Sequence, residues 1–143
     1  MKFFFPIENP ETANFPMVDF KVPAGFPSPA ADYVETRIDL NKLLIKHPSF
    51  TFFAYAEGDS MFPLIKDGNL LVVDRKADQP NGCTVLASVN NTFCVKHLHK
   101  FPDGSIELRP HNLLYESINL PCEFEGEFEI FGRVVKAVQD LEK

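Results

Sequence analysis

The sequence predicts a mainly β fold: a compact antiparallel, partly closed β domain with an extended N-terminal arm and one short helix. Three observations carry that prediction. Beyond Phe50, short apolar runs recur with turn residues between them, at Asp67-Gly68, Asn90-Asn91 and Pro102-Asp103-Gly104. The chain holds 15 phenylalanines and 12 prolines, a composition that suits strands joined by defined turns better than long helices. One stretch, beginning at Leu40, spaces its leucines as a helix does.

The elements follow in order. From Met1 to about Ile38 the chain carries Pro6, Pro10, Pro16, Pro23, Pro27 and Pro29, each of which removes a backbone donor and fixes φ. That spacing excludes a helix and predicts no regular ladder. Phe3, Phe4, Phe5, Phe15, Met17, Phe20, Val22 and Phe26 are nonetheless too apolar for a solvated tail, so the segment reads as an arm that lies on a surface. Asp39 caps a short helix whose stripe is Leu40, Leu43 and Leu44, and His47-Pro48 ends it. Strands are predicted at Thr51–Ala56, Asn69–Asp74, Cys83–Val89, Thr92–Leu98, Ser105–Arg109 and Phe128–Val138. Asn90-Asn91 joins two of them as a hairpin, because asparagine tolerates the left-handed backbone of such a turn.

Composition bounds the function. With 143 residues, 45% hydrophobic and 24% charged, the chain suits a single domain with a short appendage. A net charge of −6 argues against holding nucleic acid by neutralising phosphates, so any role near DNA runs through a protein partner. No run approaches the roughly 18 apolar residues of a membrane span. Pro6, Glu8 and Pro10 interrupt the apolar start too early for a signal peptide. Cys83, Cys94 and Cys122 are odd in number and lack Cys-x-x-Cys spacing. They read as reduced thiols of a cytoplasmic protein, with no disulfide framework, metal or cofactor called for.

Two places carry chemistry. Gly58-Asp59-Ser60-Met61 falls where a strand ends and the chain turns. A serine there can expose its hydroxyl while nearby backbone N–H groups point at an incoming carbonyl, although most such serines are turn or capping residues. In the strand Thr92–Leu98, Lys96 shares a face with Cys94 and Leu98. An ordinary lysine has a pKa of about 10.4 and is protonated at neutral pH. Desolvation by apolar neighbours favours the neutral amine, which can then take a proton from a serine hydroxyl. The plain alternative is an edge-strand lysine with its amine in water. His97 and His99 lie on the opposite strand face, and without a third ligand at suitable spacing they read as solvated histidines. A Gly-Asp-Ser esterase would need a histidine near the C-terminus, and none follows His111.

These residues together resemble the LexA-type serine–lysine self-cleaving proteins, and within them the UmuD branch. Gly25 to Glu35 (Gly-Phe-Pro-Ser-Pro-Ala-Ala-Asp-Tyr-Val-Glu), Arg37 to Asn41, and Leu43-Leu44-Ile45 with His47-Pro48 are similar to the start of that branch's processed form. Gly58 to Met61 matches the nucleophile motif and Phe93-Cys94-Val95-Lys96 the lysine motif. Leu108-Arg109-Pro110-His111-Asn112 with Tyr115 resembles the block after the lysine strand, and Phe131-Gly132 the closing strand. Cys94 departs from the pattern, since relatives commonly carry a threonine there whose hydroxyl helps orient the amine.

The resemblance implies a fold of the LexA/signal-peptidase type, with a removable arm over 1–24, a retained linker over 25–38 and a catalytic β domain over 39–143. It implies Ser60 as nucleophile and Lys96 as general base and then acid. Backbone N–H groups of Ser60 and Met61 would form the oxyanion hole, and Ala24–Gly25 would be the scissile bond. Small residues flank that bond, which lets its backbone approach the serine closely. The resemblance further implies a homodimer whose cleavage is stimulated by a RecA filament on single-stranded DNA. The processed form would join a Y-family polymerase subunit, UmuC, with the sliding clamp as a further contact, for error-prone synthesis past lesions. Repression of transcription would need a helix-turn-helix that the proline-laced start cannot form. Two alternatives stand beside this: a general Ser–Lys peptidase, and a non-cleaving interaction module with a vestigial dyad.

Overall fold

The computed structural model describes Phe3–Phe4, Asn14–Val18 and residues 35–142. In chain order the elements are β1 (Phe3–Phe4), β2 (Asn14–Val18), β3 (Glu35–Asp39), α1 (Leu40–Leu44), β4 (Thr51–Tyr55), β5 (Leu70–Asp74) and β6 (Thr84–Val89). They continue with β7 (Thr92–Lys100), β8 (Ile106–Arg109), β9 (Ile118–Leu120) and β10 (Phe128–Val138). The chain divides into two compact units: residues 7–46, and Met1–Pro6 together with His47–Lys143.

In the smaller unit β2 and β3 pair antiparallel, with Pro16 opposite Arg37. β1 likewise takes register with β4 in the larger unit. These ladders correct the expectation that the proline-rich start forms none. A proline lacks one donor only, and in a two-stranded ribbon every strand is an edge, so a missing N–H that faces outward costs no rung. α1 starts as predicted, with Asp39 Oδ1 accepting the Asn41 N–H at 2.9 Å. It ends at Ile45, before His47-Pro48, and none of its residues is buried.

The larger unit is built on one antiparallel sheet in the order β1-β4-β5-β10-β6-β7-β8-β9. It is open, where the sequence predicted partial closure, and its end strands β1 and β9 have two and three residues. β9 was not expected from the sequence; three residues are too few to display an alternation. The six predicted strands appear within a few residues of their expected ends. Asn90 and Asn91 take φ of 49° and 63°, closing the β6–β7 hairpin.

Alternation places one apolar cluster on each face of the sheet. Leu86 and Val95 join Phe52, Met61, Ile65, Leu71 and Val73 on one side. Val85, Ala87 and Leu98 join Leu108 and Leu120 on the other. Leu71, Leu86, Leu98 and Leu108 are fully buried, each contributing about 1.5–3 kcal/mol of apolar transfer. β10 runs between β5 and β6 and carries a register shift between Ile130 and Gly132 on its β6 side. A Cβ at Gly132 would meet Val73 Cγ1 at 2.9 Å and the Asp74 carbonyl oxygen at 3.1 Å, so the strands close here only around glycine.

The entry to β4 is tied down by hydrogen bonds to Asp74. The His47 ring Nδ1 lies 2.6 Å from Asp74 Oδ2, and Asp74 Oδ1 accepts the N–H groups of Lys76 and Ala77. Burial pushes the Asp74 carboxyl up, but these hydrogen bonds and the His47 partner hold it below its ordinary value.

Candidate active site

Ser60 sits just past the end of β4. The Ala56 N–H donates to the Asn69 carbonyl and the Gly68 N–H to the Ala56 carbonyl, closing a loop from 57 to 67. Gly58, at φ +84°, donates its N–H to Asp67 Oδ1 at 2.7 Å. A tight turn follows, in which the Phe62 N–H donates to the Asp59 carbonyl and the Ile65 N–H to the Met61 carbonyl. Met61 and Ile65 are buried in the first apolar cluster, and they anchor the turn while Ser60 remains half-exposed at the surface.

Lys96 comes from β7, in register with Val85 of β6. Its Nζ donates to Ser60 Oγ at 2.7 Å, across 36 positions of sequence. The structure thus brings together the two side chains that strand alternation and motif spacing singled out. Burial pulls the Lys96 ammonium below the ordinary lysine value, and negative charge on Cys94 would oppose that pull. Burial in turn pushes the Cys94 thiol up, so near neutral pH it is uncharged and leaves the desolvation of Lys96 unopposed. All three cysteines are free.

Ser60 and Lys96 open onto a cleft of about 400 Å³ walled by Ala56, Gly58, Met61, Phe93, Cys94 and Val95. Among the described residues β8 takes register with His97–Lys100 of β7 and not with the stretch that borders this cleft. Ala24 and Gly25 lie outside the described residues.

Sequence reasoning missed the loop after β8. The Asn112 N–H donates to the Ser60 carbonyl at 2.9 Å, and the His111 N–H lies 3.3 Å from Met61 Sδ. The His111 ring meets that of His97 at 3.0 Å between Nδ1 and Nε2, and His97 Nδ1 lies 3.2 Å from Thr84 Oγ1. His97 is therefore a bridge between elements and not the solvated histidine expected. Burial first, then the neighbouring His111 and His99, lowers its pKa. The only sequence signal for this loop was the Arg109-Pro110-His111-Asn112 block, which by itself carries no role. Among the described residues no three His, Cys, Asp or Glu side chains group as a metal site.

A serine hydroxyl bonded to a desolvated lysine amine in an open cleft is the equipment of a serine–lysine peptidase. The chain matches the family described as "Peptidase S24-like" over residues 16–135. It is 40% identical to Protein SamA of Salmonella typhimurium over 130 residues, covering 90% of this chain and 88% of SamA. It is 42% identical to Protein ImpA of Shigella flexneri over 93 residues, covering 64% of each. It is 34% identical to the LexA repressor of Clostridium perfringens over 112 residues, covering 78% of this chain and 54% of the repressor. The chain belongs to the Peptidase S24-like family. It is a self-cleaving serine peptidase with a Ser–Lys dyad, and its role is that of an SOS-response accessory subunit of a translesion polymerase. Among the described residues no helix is long and apolar enough to cross a membrane.

Proposed function

We propose that this chain cuts its own Ala24–Gly25 bond once, as a switch, and that the segment from Gly25 onward is the active form. The observation that carries the reading is the 2.7 Å contact between Lys96 Nζ and Ser60 Oγ, with burial favouring the neutral amine. Ser60 Oγ adds to the Ala24 carbonyl carbon as its proton passes to Lys96. The N–H groups of Ser60 and Met61 receive the oxyanion. The Ala24–Gly25 C–N bond then breaks, Lys96 returns its proton to the Gly25 amine, and water releases the Ala24 ester from Ser60. In this reading residues 1–24 are the removable arm, 25–38 the retained linker and 39–143 the catalytic domain.

The partners belong to the same proposal. Cleavage is stimulated on a RecA filament, and the processed homodimer joins the Y-family subunit UmuC in the cytoplasm, with the sliding clamp as a further contact. The net charge of −6 supports contact with DNA through these proteins and not directly.

The test is to incubate the purified full chain near pH 10, where more Lys96 is neutral, and to follow intact masses. The expected result is one cut, at Ala24–Gly25, that disappears in both Ser60→Ala and Lys96→Ala. A chain that stays whole for days supports the vestigial module, and equally fast cutting of unrelated peptides supports the general peptidase.

A further inference from the structure

Asn112 grips the nucleophile turn at two successive carbonyls. Its backbone N–H donates to the Ser60 carbonyl at 2.9 Å, and its side-chain Nδ2 donates to the Asp59 carbonyl at 3.0 Å. Its Oδ1 accepts the Leu114 N–H at 3.1 Å, and its own carbonyl accepts the Tyr115 N–H. The amide orientation is therefore fixed from both ends: the oxygen has a donor and the nitrogen an acceptor.

The two gripped carbonyls belong to the peptide units 59–60 and 60–61. Both units are trans and planar, so each N–H points away from its own carbonyl oxygen. Fixing the Asp59 carbonyl aims the Ser60 N–H, and fixing the Ser60 carbonyl aims the Met61 N–H. Among the described residues neither of these N–H groups has a hydrogen-bond partner. They are the two donors that the proposed mechanism assigns to the oxyanion.

We propose that Asn112 is the positioning residue of the oxyanion hole, holding both donors in place before the substrate carbonyl arrives. The inference rests on the self-cleavage reading and on Ser60 and Met61 as its donors. An oxyanion donor stabilises the transition state most when it needs no reorientation at the moment of reaction. The turn's own hydrogen bond, from the Phe62 N–H to the Asp59 carbonyl at 3.1 Å, leaves the Ser60 carbonyl unheld, and among the described residues it is the loop that reaches it. His111 braces the same loop, through its N–H near Met61 Sδ and its ring against His97, the residue after Lys96. The loop thus ties the turn that carries the nucleophile to the strand that carries the base.

The test uses the full chain, wild type beside Asn112→Ala and Asn112→Asp, with self-cleavage followed by intact mass across alkaline pH. Each rate is divided by the folded fraction from circular dichroism, so that a loss of stability is not counted as a loss of positioning. Asn112→Ala removes the grip on the Asp59 carbonyl, and the plateau rate is expected to fall about 10- to 100-fold. The pH midpoint, which reports Lys96, is expected to stay in place. Asn112→Asp keeps the acceptor for the Leu114 N–H but turns an oxygen towards the Asp59 carbonyl, so its plateau falls at least as far. A wild-type plateau in either variant overturns the inference, as does a loss accounted for by a shifted midpoint. If the wild type does not cut, or still cuts as Ser60→Ala, the self-cleavage reading falls and takes this inference with it. Ser60-dependent cutting that is indifferent to Asn112 sinks this inference alone.

Discussion

The two halves of the dyad are held in opposite ways. Lys96 stands on a regular strand, one of six consecutive pairs between β6 and β7, and its backbone is placed by its ladder. Ser60 stands on an irregular turn, and hydrogen bonds from Asn112, about fifty positions away, hold its peptide units. The base is positioned by repetition and the nucleophile by a few remote contacts. A site built this way tolerates changes along the strand and is sensitive to single changes in the turn and its brace.

The largest expected effect tests the chemistry of the strand side. Lys96→Arg preserves the positive charge and the ladder, but guanidinium does not give up its proton in proteins. Cleavage is expected to fall by about 10²- to 10⁴-fold, the contribution of a general base. In the wild type the rate should rise with pH, because the neutral amine is the active form, and level off above the Lys96 pKa. Burial puts that midpoint below the ordinary lysine value, and a rate–pH profile of each chain measures both points. A midpoint at or above the ordinary value would show that the amine is not desolvated when it acts.

Leu86→Ala separates folding from placement. Leu86 is fully buried on β6, one register pair from the partner of Lys96. Its truncation is expected to cost about 2–5 kcal/mol in urea unfolding. Cleavage per folded molecule should stay close to wild type, since the ladder still sets Lys96. The smallest effect is expected at Leu113→Ala. Leu113 is 93% exposed in the bracing loop, so stability should move by no more than about 0.5 kcal/mol. A large loss of cleavage in Leu113→Ala would mean that the loop contributes side-chain contacts beyond Asn112.

The same contrast explains what was legible in the sequence. Strands such as Leu70–Asp74 and Thr84–Val89 declare themselves through apolar runs bounded by turn residues, and Asn90-Asn91 marks its hairpin through backbone preference alone. Lys96 could be placed beside Cys94 because alternation is a local rule. Pairing Ser60 with Lys96 needed the family resemblance, because nothing local in either motif fixes their approach. The brace by His111 and Asn112 was illegible, since it depends on how β8 delivers its following loop across the sheet. The ladders of Phe3–Phe4 and Asn14–Val18 are hidden by the prolines around them, because a proline forbids one donor on one side and not the strand itself.

The position of β10 has a consequence for how the dyad is assembled. It is the last strand in sequence, yet it lies in the middle of the sheet, between β5 and β6. Ser60 follows β4 on one flank and Lys96 belongs to β7 on the other, so until Phe128–Val138 is made the ladder has two separate halves. A chain that stops short of β10 therefore cannot hold Ser60 and Lys96 in one continuous sheet, and the strand furthest along the sequence is the one that completes the frame of the dyad.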